Sequence, residues 1–163
     1  SGGGDDGAAP ADARMRDADS GEDVSWRRDA ATVAKVDKVV AGLKALLDDV
    51  VLRLAKVKRV MELTNDTATL VRIARMLKRV RPHVRVAPDA LPGLSLPPAT
   101  PLPRASRVDK AAVLRHALNN ALLDVTKVLA AAVALVDDVR NPTQLPPLGR
   151  LLHHLHDDFV LDD

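Results

Sequence analysis

The chain has 163 residues and a net charge of +2, with 47% apolar residues, one Trp, one Phe, no Tyr and no Cys. That length supports one domain with a real core, and the lack of cysteine excludes disulfides, thiolate catalysis and Cys-based zinc sites. The apolar residues are mostly Ala, Val and Leu, a composition that suits close helix packing better than an aromatic-rich β-sandwich.

Residues 1–24 are mainly Gly, Ala and Asp. They carry too little apolar surface to offset the entropy of ordering, so they read as a disordered acidic tail. The remainder, 25–163, reads as a single helical-bundle domain. The first residue is Ser, which marks the sequence as a fragment or a processed product. A cytoplasmic setting is the working expectation, with secretion left open. No uninterrupted apolar run reaches about 18 residues, so no membrane span is expected.

The first helix is expected over 25–63. Val33, Val36, Val40, Leu43, Leu47, Val50, Leu54, Val57 and Met61 alternate spacings of three and four, a heptad seam for packing on another helix. Thr64-Asn65-Asp66 follows as a tight turn, with Asp66 as N-cap. The second helix is expected over 66–81, ending before Pro82. Its apolar stripe is Leu70, Ile73, Leu77 and Val80. Arg72, Arg75, Lys78 and Arg79 form a basic face opposite.

Residues 81–106 hold seven of the eleven prolines. A third helix is expected over 107–140, opened by a capping-box pattern in Ser106 and Asp109. Two adjacent apolar seams make it the central helix. One runs from Leu114 and Leu118 to Val139, the other through Leu122, Leu129 and Val136. A fourth helix is expected over 147–160, with Leu148, Leu152, Leu155 and Phe159 inward.

These lengths predict an all-α four-helix bundle with up-down-up-down topology, two long helices and two short ones. The proline-rich segment becomes a crossover strap between helices two and three. Leu91, Leu94, Leu96 and Leu102 are expected to plug a groove between helices one and three, lined by Val36, Val40, Leu43, Leu114 and Leu118. A full-length crossover that makes helices two and three parallel is the rival topology.

Motifs for chemistry are sparse. Glu22 and Glu62 are the sole glutamates, too few for a di-iron bundle site, which also needs Glu-x-x-His motifs. His153 and Asp157 are one turn apart, but Leu152 and Leu155 define the buried side and leave His153 and His154 to solvent, with His156 on the flank. His116 reads as a boundary residue. There is no Gly-x-Ser-x-Gly elbow and no Gly-rich phosphate loop. No catalytic residue, cofactor or metal site is expected, and the chain reads as non-enzymatic.

The most specific surface feature is charge. Residues 53–85 hold ten Lys or Arg against Glu62 and Asp66. An acidic or amphipathic protein segment, helical or extended, fits such a face. The lack of aromatic platforms in this stretch argues against nucleic acid. The expected function is therefore a protein–protein interaction module of the adaptor or scaffold kind. One alternative is a carrier holding a fatty acid or other apolar ligand in the bundle core. Another is a self-associating structural protein, since heptad seams can pair between chains.

Overall fold

The computed structural model describes residues 24–99 and 111–161. The N-terminal tail, Leu102 and the Ser106/Asp109 pair lie outside them. Among the described residues all regular structure is helical, in four α-helices: α1 (Ala30–Leu63), α2 (Thr67–Ala90), α3 (Ala111–Asp137) and α4 (Leu145–Asp158). Short 3-10 turns at Ser25–Arg28 and Pro142–Gln144 precede α1 and α4.

The Asp29 carboxylate accepts the Ala31 N–H at 3.3 Å and opens α1. Val36, Leu43, Leu47, Val50, Leu54, Val57 and Met61 are all buried, so the heptad seam is the inner face. Asp66 caps α2 as expected, accepting from Ala68 N–H at 3.1 Å. Leu145 and Leu151 join Leu148, Leu152, Leu155 and Phe159 as buried residues at the C-terminal end. Pro146 and Pro147 lie in the first turn of α4, where a missing N–H costs nothing.

The second helix does not stop at Arg81. It continues through Pro82 and Pro88 to Ala90. Each proline removes one backbone hydrogen bond, to the carbonyls of Lys78 and Val84, a defect of about 3 kcal/mol in a helix interior. Burial outweighs it. The stripe Leu70, Ile73, Leu77, Val80 continues at helical spacing into Val84, Ala87 and Leu91, all buried. Pro82 itself faces outward. With about 36 Å of length at 1.5 Å per residue, α2 is close to α3 at about 40 Å. Only α4, at about 21 Å, is short.

The packing pairs also differ from expectation. α3 and α4 each pack against both α1 and α2. Lys44 meets Asp137 at 3.6 Å and Lys58 donates to Thr126 at 3.0 Å, so α1 and α3 are antiparallel. Gly149 lies against Leu43, and Arg53 donates to the His156 carbonyl at 2.5 Å, so α1 and α4 run the same way. Arg79 donates to the Val160 carbonyl and His83 meets Asp158 at 2.8 Å, so α2 and α4 are antiparallel. Leu77 and Arg81 lie beside Ala121, and Leu91 beside Ala131. α2 and α3 are therefore parallel. These contacts replace the up-down-up-down order with the rival arrangement, in which α2 and α3 run parallel.

The strap begins with a reversal. Leu94 N–H donates to the Leu91 carbonyl at 3.1 Å, across Pro92 and Gly93. Gly93 has φ of 85°, the left-handed value that a proline-glycine turn places on its glycine. The chain then runs back along the seam of α2 and α3. Leu94 lies by Ala131, Pro97 and Pro98 by Ala117 and Asn120, and Ala99 by Leu77 and Val80. Residues 94–99 so travel about ten residues of α3, or about 15 Å, which matches extended proline-rich chain at about 3.1 Å per residue. Residues 94–99 lie along the α2–α3 seam rather than in the predicted groove between helices one and three.

By average hydropathy α3 is long and apolar enough to cross a membrane. Here it packs on α1 and α2, as a core helix of a bundle does.

Candidate interaction surface

The four residues of the predicted basic face do not act alike. Arg75 and Lys78 are exposed, and neither forms an ion pair or side-chain hydrogen bond among the described residues. Arg79 instead donates from Nη2 to the Val160 carbonyl at 2.7 Å and ties down the chain after α4. Arg72 is half-buried and is also engaged.

The rest of the basic segment divides the same way. Arg53 is structural: its guanidinium reaches the His156 carbonyl, Asp49 at 3.2 Å and the Phe159 carbonyl at 3.5 Å. Arg85 lies 3.8 Å from Asp124. By contrast, Lys56, Arg59 and Arg81 have no ion-pair partner among the described residues. The C-terminal half of α1 and the N-terminal part of α2 join at one end of the molecule. Among the described residues, that end therefore carries positive charge that no ion pair compensates.

The predicted groove is not one surface. Leu114 and Leu118 are buried near the Met61 end of α1, where Arg115 donates to the Met61 and Thr64 carbonyls. Val36 and Leu43 belong to the opposite end, and Val40 is partly buried against the core. Antiparallel packing separates the two sets by most of the bundle length. Val36 and Leu43 instead line an open depression of 540 Å³ between α1 and α4, with Val39, Leu145, Pro146 and His153. Of the strap leucines, Leu91 is buried in the core, and Leu94 and Leu96 pack against it.

Two apolar hollows adjoin these features. One of 690 Å³ lies beneath the reversal, between Leu91–Ser95 and Lys127, Ala131 and Leu135 of α3. Another, of 400 Å³, lies at the basic end between Arg53, Lys56, Val57 and Val60 of α1 and the Phe159–Leu161 segment.

The histidines serve packing and hydrogen bonding. His156 Nε2 is 2.5 Å from Asp49, linking α4 to α1. His83, which attracted no attention in the sequence, stacks on His154 at 4.8 Å and bonds Asp158 at 2.8 Å. Its place was legible only as the i+4 neighbour of Arg79 on a helix expected to have ended. His153 and His154 are exposed, and His116 also lies in water with Asn120 at 3.4 Å. Among the described residues no group of three or more His, Asp or Glu is arranged to hold a metal.

At the other end of the bundle Asp138 is hydrogen-bonded by Arg140 and Arg27. The Arg140 bond, helped by both positive charges, holds its carboxyl below the ordinary value against desolvation, which pushes it up.

Comparison with protein families, curated proteins and solved structures finds no match to this chain.

Proposed function

We propose that the chain is a non-enzymatic interaction domain whose contact surface is the basic end of the bundle, and that its partner is an acidic or amphipathic protein segment. One observation carries this reading. Lys56, Arg59, Arg75, Lys78 and Arg81 lack ion-pair partners among the described residues, although acids elsewhere in the chain pair with other cations. Like charges gathered at one end of the bundle, on α1 and on α2, repel in the free protein, and that repulsion is relieved when a negative surface arrives. Helix faces with fixed backbones supply the cations without an ordering cost at binding.

The test is crosslinking mass spectrometry in native extract, comparing the wild-type chain with the charge-reversed pair R75E/K78E. A partner crosslinked near Arg75 and Lys78 whose yield falls at least tenfold in the variant, with the melting temperature unchanged, supports the reading. Equal yields from both proteins would remove the basic end from the contact.

A further inference from the structure

A second property of the basic end concerns its 400 Å³ trough. The volume lies within the range of small-ligand clefts, about 300–1,000 Å³. Its floor is Val57 and Phe159, the latter 1% exposed. Its walls are Val60 and Leu161, both partly buried, and Val160, which stands 44% exposed. Such a recess leaves aliphatic surface in water, worth about 25 cal/mol per Å² when covered.

The trough is held open by its own structure. The Phe159–Leu161 segment is fastened from both sides, by Arg53 to the Phe159 carbonyl and by Arg79 to the Val160 carbonyl. α4 ends at the same place, with Phe159 N–H on the Leu155 carbonyl at 2.8 Å. The facing wall is the rigid α1. Little rearrangement is needed to admit a chain.

Charge at the rim selects the head group. Of the two cations lining the trough, Arg53 is occupied by Asp49 and two carbonyls. Lys56 is exposed and has no partner among the described residues. A cation beside an aliphatic recess matches a molecule with an anionic head and an alkyl tail. A bilayer surface matches less well, because it receives protruding apolar side chains and this site is concave.

We infer that the trough between α1 and the Phe159–Leu161 segment binds a single-chain anionic amphiphile, its head group on Lys56 and its tail along Val57, Val60 and Val160. The site is on the surface, distinct from the enclosed core, and it shares Lys56 with the basic end proposed above as a contact surface.

The experiment is a methyl NMR titration of the full chain with decanoate, and with decyltrimethylammonium as the cationic counterpart. Decanoate is expected to give saturable shifts confined to Val57, Val60, Val160 and Leu161. The cationic probe is expected to bind at least fivefold more weakly. Lys56→Glu weakens decanoate about fivefold, since exposed ion pairs are worth little more than that. Val160→Asp, at an exposed position, abolishes saturable binding while leaving the spectrum folded. Equal binding of both probes, or an unchanged affinity in Lys56→Glu, overturns the inference. So do shifts centred on core positions such as Leu118 and Leu152.

Discussion

The two ends of the bundle differ in what their cations meet. At the end where α1 begins and α3 finishes, one cluster pairs cations with Asp137 and Asp138, while Arg28, Lys35 and Lys38 form no ion pair among the described residues. Arg27 and Arg140 share Asp138 at 3.2 and 3.0 Å, and Lys44 reaches Asp137 at 3.6 Å. Arg27 also donates to the Val139 carbonyl, and Trp26 Nε1 donates to the Arg140 carbonyl. At the end where α1 finishes and α2 begins, Arg53, Arg79 and Arg115 hold backbone carbonyls, and Lys56, Arg59, Arg75, Lys78 and Arg81 have no ion-pair partner among the described residues. The first end draws on the carboxylates at the α3 terminus, whereas residues 53–85 set only Glu62 and Asp66 against ten Lys or Arg, an excess for another molecule to neutralise. The count of charges, together with the unpaired Arg75 and Lys78, motivates the proposed surface.

The largest expected effect comes from removing the apolar anchor of the basic end. Phe159→Ala should cost about 3–5 kcal/mol, since the ring is fully enclosed, as read by the urea midpoint. Trp26→Ala at the opposite end should cost about 2 kcal/mol, one hydrogen bond and a half-covered ring. Similar losses for the two would mean that both ends are closed by packing alone. Next in size is a contrast within α2. Arg79→Ala should lose about 1 kcal/mol with its bond to the Val160 carbonyl. Arg75→Ala should stay within about 0.5 kcal/mol. If Arg75→Ala cost as much, the surplus would be internal after all.

The smallest effect is at Asp138. Its folded-state pKa lies below the ordinary 3.8, so its contribution to stability is present above that value and is lost as pH falls through the lowered one. Asp138→Asn should therefore destabilise slightly at neutral pH and flatten the acid limb of a stability–pH curve. An unchanged acid limb would show that the three-residue cluster is decorative.

What could be read from the sequence was local. The seam of α1, the double seam of α3 and the stripe Leu148, Leu152, Leu155, Phe159 are periodic, and periodicity survives into burial. The end of α2 was misread because a proline rule was set against a stripe that ran on through Val84, Ala87 and Leu91, and burial won. Pro92-Gly93 was the better stop signal, since only that pair supplies the reversal. Helix direction was out of reach. Whether α3 runs with or against α2 depends on contacts such as Arg81 with Ala121, which no periodicity encodes, and on a strap long enough for either route. The basic face was visible as composition, but its division into tethers and surplus was not. Arg79 became a tether because Val160 came within reach across 81 positions.

The cross-packing of helices has a consequence for how the molecule assembles. The α1–α2 pair and the α3–α4 pair each present their apolar faces chiefly to the other pair, so neither half of the chain has a core of its own. Two polypeptides divided within the connection should each remain unstructured in isolation and gain helicity together on mixing, with one-to-one stoichiometry. Such fragment complementation would make this a helical protein whose folding waits on distant partners in the chain rather than on adjacent ones.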